Sequence, residues 1–489
     1  MRRASVNAQE PSTGARFQGE RQVKKIPYLV PLAAGIAAAL LHADSVWAQQ
    51  GNLVNNRAHD PGVRGGTPAA GGPINGLSAS ELQFFTASKA TFQEVEAIVD
   101  GLGPTMNLDS CAGCHAQPAT GGTSPAVNPQ VAFANKNGAK NIVPSFVHAN
   151  GPVREARFVT NADGTADGGV HALFTVAGRA DISAACQLAQ ENFAAAVSAN
   201  NVIFRIPTPV FGAGLIESIP DATIVANSSS NLSSKQPLGI AGRPNIQVPG
   251  RTVSGTTNNS GNDGTVTRFG WKAQNKSLLM FAGEAYNVEM GISNELFPTE
   301  RDETAACQVA TVPNDAENTQ AATPIDAVTD IAQFALFQRF LAPPAPSPDT
   351  PGGAPSINNG KQLFASTGCA LCHTPTLRTG NAAVAALRYQ NANLYSDLLV
   401  HDMGPNLADG VSQGSASGSE FRSAPLWGLG QRLFFLHDGR SSDLLDTIAQ
   451  HSSGSTKQGN ASEANGVVSS FNNLSERQKQ DILNFLRSL

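Results

Sequence analysis

The chain has 489 residues, with 33 Lys+Arg against 38 Asp+Glu and a formal net charge of -5. Its basic residues are scattered rather than blocked, which argues against nucleic acid as a partner, and its length allows two or three domains. Abundant glycine and proline (47 and 30) with only 6% aromatics predict a mainly α chain with many loops and some short β.

In chain order, the first element is a leader. Lys24 and Lys25 precede the apolar run IPYLVPLAAGIAAALL and a polar stretch ending Val46-Trp47-Ala48, the pattern of a secretory signal with cleavage after Ala48. The run is shorter than the roughly 20 residues of a membrane span. The expectation is a signal peptide over 1–48 and an exported, periplasmic protein that is not an integral membrane protein.

A helical stretch follows over 77–99 and leads to Cys111-Ala-Gly-Cys114-His115, repeated later as Cys369-Ala-Leu-Cys372-His373. C-x-x-C-H is the attachment signature of c-type haem. Two thiols at this spacing form thioethers with the two vinyl groups, and the adjoining imidazole reaches the iron. Structural zinc would instead want four ligands converging in one module. Two covalent haems are expected, with His115 and His373 as proximal ligands.

The middle of the chain suggests short strands at 156–160 and 171–178, exposed loops over 225–265, and a helix from Ser277 as N-cap to Met290, stopped by Gly291. Cys186 and Cys307, each in the tetrapeptide A-A-C-Q, are left over from the haem motifs, and in an oxidising compartment they most simply pair. A helix over 326–341 precedes the proline-rich 342–355, the clearest boundary. The expected organisation is an N-terminal cytochrome c-like haem domain with a large insertion (75–341), the linker (342–355) and a C-terminal cytochrome c domain (356–489).

That last domain opens on a helix running into Cys369 and closes on LSERQKQDILNFLRSL. There Ser475 and Gln478 read as a capping box, with Ile482, Phe485, Leu486 and Leu489 on one face. Between them lies SDLLDTIAQH, a helix capped at Ser442 with Leu444, Leu445, Ile448 and Ala449 at helical spacing and, in the last turn of that face, His451. A charged imidazole is costly in an apolar pocket, whereas a neutral one bound to iron is not. His451 is therefore the expected sixth ligand of the His373 haem, with Met403 as its rival. His437, opening the turn His437-Asp438-Gly439, suits turn-ordering or a propionate-side role.

The segments GLGPTMNLDSCAGCH, GPVREARF, DGGVHALFTVAGR, PVFGAGLIESIPDATI, GIAGRPN, RFGWKAQ, LLVHDMGPNLADG and SEFRSAPLWGLGQRLFFLHDGR, in that order, resemble the di-haem oxidoreductase family often labelled "thiol oxidoreductase". This is a branch of the bacterial di-haem cytochrome c peroxidase superfamily. In that superfamily the C-terminal haem takes its sixth ligand, Met or Tyr, fourteen residues after the histidine of an H-x-G turn. Counting fourteen from His437 reaches His451, so histidine stands where Met or Tyr is expected, which lowers the iron's potential relative to Met ligation.

The resemblance makes the N-terminal haem the reactive one, with an open or displaceable position and a nearby acid–base group. His148, Arg154, Glu155 and His171 are the candidates, and either histidine is alternatively a resting-state ligand. Trp271 and Trp427 are the aromatics available between the haems. A calcium ion lies between the haems of the related peroxidases, but no acidic loop marks it here. The resemblance implies peroxide reduction, with a small redox protein or quinone-linked electron partner. Alternatives are a haem-dependent oxidase or oxygenase acting on a protein or organic substrate, and a non-catalytic di-haem electron carrier.

Overall fold

Capping residues decide where the longer helices begin. Ser78 and Glu81 close a capping box on the helix Ala79–Gln93, and Ser475 and Gln478 do the same for Glu476–Ser488. The Ser277 hydroxyl accepts from the amide of Met280 at the start of Leu278–Met290, which stops at Gly291 in the left-handed region (φ 69°). Thr329 caps Asp330–Phe340. Each cap satisfies a donor that the first turn leaves without an intrahelical partner.

The computed structural model describes residues 57–489 apart from 168–178, 180, 247–251, 254–255, 258–265, 300–303, 309 and 457–458. The leader, the strand expected at 171–178 and His171 lie outside the described residues. Residues 57–489 form one unit of helices and loops, in which the described strands make five two-stranded antiparallel pairs. No helix among the described residues is long and apolar enough to cross a membrane.

Three apolar clusters organise this unit. Phe85 and Phe92 from the helix 79–93, Tyr286 and Met290 from 278–290, and Phe334 and Phe337 from 330–340 pack with Met106 and Leu108, just ahead of Cys111. At the other end Phe364, from the helix Gly353–Ser366, packs with Ile482, Phe485, Leu486 and Leu489. A Cβ on Gly360 would come within 1.9 Å of the Asp481 carbonyl, so the absence of a side chain lets the first and last helices of this cluster touch. The third cluster joins Leu215, Ile216, Leu278, Leu394, Leu398 and Trp427.

Several expectations shift. The helix predicted over 77–99 ends at Gln93, because Glu94 is extended and a short 3-10 turn, Ile98–Asp100, follows. Part of the loop expected over 225–265 is helical, since Asp221–Ser228 forms a helix anchored by the buried Ile224. The cap before Leu444 is Asp443, not Ser442; its carboxylate accepts from the amide of Asp446. The helix ahead of Cys369 starts at Gly353, within the proline-rich stretch. That stretch is tied to both ends of the unit: the Ala345 amide donates to the Ala69 carbonyl and the Ser347 amide to that of Ser488. Cys186 and Cys307 are disulfide-bonded, with Cα atoms 4.8 Å apart.

Candidate cofactor sites

Each C-x-x-C-H motif heads a large cavity. The first, 1090 Å³ counted to its open mouth, is lined by Cys111, Cys114 and His115; the second, 1430 Å³, by Cys369, Cys372 and His373. Short turns bring each motif to its wall: Cys111–Cys114 is one helical turn and Cys369–Leu371 a 3-10 turn.

The imidazoles share one arrangement. Nδ1 of His115 lies 2.9 Å from the Gly122 carbonyl, Nδ1 of His373 3.0 Å from that of Tyr395, and Nδ1 of His451 2.7 Å from that of Thr447. A carbonyl only accepts, so Nδ1 carries the proton and donates it in all three, which leaves Nε2 as the free lone pair. This is how a ligating histidine is ordinarily held. Burial pulls His115 and His373 down to about 4, His373 with a further push from His451. Burial lowers His451 as well, so all three are neutral, as metal ligands must be.

His373 and His451 line the same cavity, with Met403 in its wall. His451 is the C-terminal cap of the helix Leu444–Gln450. Two further lining residues, Arg422 and Arg432, are buried guanidiniums with no carboxylate partner among the described residues: Arg422 Nε donates to the Gly270 carbonyl, and an Arg432 amino group reaches the Pro425 carbonyl. Burial lowers both to about 10, and for Arg422 the repulsion of Arg432 adds to it. Two like charges buried side by side call for anions. A haem, with two propionates and an iron seeking imidazole nitrogen, fits both observations.

The first cavity differs on its far wall. Glu155 and Arg157 alternate on the strand Glu155–Phe158, so both face inward. They are joined by two contacts: Arg157 Nε to Glu155 Oε1 at 2.8 Å and an Arg157 amino group to Oε2 at 2.9 Å. The paired strand Val202–Arg205 sets Arg205 opposite Glu155. Glu289 projects from the helix 278–290 into the same lining, and burial, with Glu155 beside it, raises its carboxyl to about 8. His115 is the only histidine in this lining among the described residues; Met290, its only thioether, is packed into the apolar cluster.

Trp271 lines both cavities. Its indole N–H donates to the Ile206 carbonyl at 3.0 Å, and its ring meets that of His437 edge-on at 6.5 Å; His437 in turn stacks on Phe421 at 4.3 Å. Trp427 lines neither cavity and belongs to the central apolar cluster.

Of the acid–base candidates, Glu155 lines the first cavity, whereas His148 is exposed on a turn and lines neither. Arg154 is turned away, donating to the carbonyls of Asp438 and Phe146. Glu289, Arg157, Arg422 and Arg432 were not singled out from sequence. The sequence signal for Glu289 is slight, since it is one of two acids, with Glu284, on the mostly apolar helix Leu278–Met290.

Fold and sites thus define a protein built around two buried cofactor cavities, each headed by a cysteine pair and a carbonyl-braced histidine. Residues 153–489 match the family model described as "Di-haem oxidoreductase, putative peroxidase". The chain belongs to this di-haem oxidoreductase family, which makes haem its cofactor. No curated protein matches it. Among solved structures it is similar to a MauG-like protein associated with microbial copper homeostasis, at 16% identity, covering 58% of this chain and 90% of that one, with a TM-score of 0.29. It is also similar to Kuenenia stuttgartiensis hydrazine synthase, at 13% identity, with coverage of 58% and 88% and a TM-score of 0.26.

Proposed function

We propose that the chain is an exported di-haem c-type oxidoreductase of peroxidase type, with a cytochrome c-like haem domain at each end. A haem held by Cys111, Cys114 and His115 would supply peroxide reduction, and one held by Cys369, Cys372, His373 and His451 would supply electron relay. The observation that carries this reading is the asymmetry of the two cavities among the described residues: one lined by four histidines, two of them carbonyl-braced, the other by one histidine facing carboxylates and guanidiniums. The haems supply iron redox chemistry and, through thioethers to Cys111, Cys114, Cys369 and Cys372, stay bound.

The chain's own residues supply the rest. Gly122, Tyr395 and Thr447 hold the Nδ1 protons of the three histidines, fixing each Nε2 lone pair. Glu289, neutral at neutral pH because burial raises it to about 8, holds a proton on its carboxyl beside the substrate position and releases it to the departing oxygen. Glu155 and Arg157, fixed to each other, orient the bound peroxide. Arg422 and Arg432 would hold the propionates of the second haem. Trp271, in contact with both cavities, is the short route between them. The overall step takes two electrons from an external one-electron donor, a small redox protein or quinone-linked carrier, and two protons, to turn one peroxide into two waters.

The test is turnover. Holo-protein supplied with a reduced small cytochrome should consume hydrogen peroxide at two electrons per peroxide. Absence of consumption by protein carrying both haems would leave an electron carrier, or an oxidase of another substrate, in its place.

A further inference from the structure

A fully buried cation sits between the two cavities. The Lys272 side chain is 0% exposed, and its ammonium donates to the carbonyls of Ser417 and Glu420, both at 2.9 Å. It also lies 3.2 Å from Asp409 Oδ1 and 4.0 Å above the Phe421 ring. An ammonium has three donors, and here it meets three oxygens. Asp409, 2% exposed, pairs through its other oxygen with Arg205. Arg205 lines the first cavity and Phe421 the second, while Lys272 follows Trp271, which lines both. Two cations and one carboxylate leave this buried cluster with a net positive charge.

Calcium does not fit this place. It takes six to eight oxygens at about 2.3–2.6 Å, whereas the oxygens gathered here are satisfied at hydrogen-bond distance by a side chain. No group of three or more His, Cys, Asp or Glu among the described residues is arranged to hold a metal ion.

We propose that Lys272 is the resident cation between the two haem sites: its ammonium fills an all-oxygen cage, holds Trp271 and Phe421 in register, and couples the haems without a metal ion. A buried charge of this kind is retained at a desolvation cost, which its carbonyl and carboxylate partners offset. Its field favours added electrons on both sides, so it raises the potential of each haem. Lys272 is a positioning residue, since it acts through its neighbours. The proposal rests on the two-haem reading above, which a pyridine haemochrome assay checks separately: fewer than two haems per chain defeats that reading and the coupling with it, whereas two haems with potentials and rate unaltered in Lys272→Met defeat the role of Lys272 alone.

The experiment uses the holo-protein, elemental analysis for calcium, dialysis against EGTA, and the variants Lys272→Met and Lys272→Arg. The expected results are no stoichiometric calcium and no effect of EGTA on the peroxide-driven oxidation of the second haem. Lys272→Met should show downward shifts of both potentials and slower oxidation of the second haem, and Lys272→Arg should recover both in part. One calcium per chain, loss of coupling in EGTA, or a Lys272→Met protein with unaltered potentials and rate would each overturn it. Should Lys272→Met fail to fold, calcium content and the EGTA response of the unaltered chain still decide, alongside the Lys272→Arg potentials.

Discussion

Replacing His451 with alanine removes the other carbonyl-braced imidazole of the His373 cavity; of the two remaining histidines in that lining, His401 is held by Asp397 and Glu463 and His437 is stacked on Phe421. The structural cost is modest. Nδ1 of His451 donates to the Thr447 carbonyl at 2.7 Å in the last turn of the helix Leu444–Gln450, and leaving that acceptor bare costs about 1–3 kcal/mol. The variant should therefore fold, while the spectroscopic effect is large. The second haem changes from low-spin, two-imidazole ligation to a five-coordinate or water-bound form, read by electron paramagnetic resonance and absorption of the oxidised protein. His451→Met should restore a low-spin haem and raise its potential, because thioether ligation favours the reduced iron. A His451→Ala protein with an unchanged low-spin signal would refute the assignment and point to Met403, which lines the same cavity.

Four further outcomes are expected. Glu289→Gln should abolish most peroxide turnover. In the unaltered enzyme the acid form exists below about 8, so turnover should hold at neutral pH and fall above that value, a limb absent from the residual activity of the variant. The same raised carboxyl adds stability that is fully present below the unfolded value of about 4.3 and is lost as pH rises toward about 8; Glu289→Gln should flatten that part of the denaturation profile. Arg432→Met in the holo-protein should destabilise by about 3–5 kcal/mol in denaturant melts, the cost of stripping one partner from a buried pair; a neutral result would mean that no propionate lies there. Trp271→Phe should keep both haem spectra but slow oxidation of the second haem after peroxide, followed by stopped-flow absorbance.

Much of the site was legible because its chemistry is contiguous. The cysteine pairs and their histidines occupy five residues each, the capping box at Ser475 and Gln478 four, and the helical period carries His451 to the face of Leu444 and Ile448. The Cys186–Cys307 disulfide followed from elimination. What was not legible depends on chain segments far apart in sequence. The far wall of the first cavity joins a strand at 155–158, its partner at 202–205 and a helix at 278–290, and no local pattern predicts that meeting. Arg422 and Arg432 look like ordinary basic residues until burial removes their solvent. His148 lies seven residues ahead of the strand that reaches the cavity, and it is exposed to solvent. Asp443 and Ser442 are both good caps, and only the fold chooses between neighbours.

The most direct test of the account is a low-temperature electron paramagnetic resonance spectrum of the oxidised holo-protein before and after one equivalent of hydrogen peroxide. The account predicts one high-spin signal from the His115 haem and one low-spin signal from the His373/His451 haem, with both altered by peroxide. Two low-spin signals that ignore peroxide would contradict it.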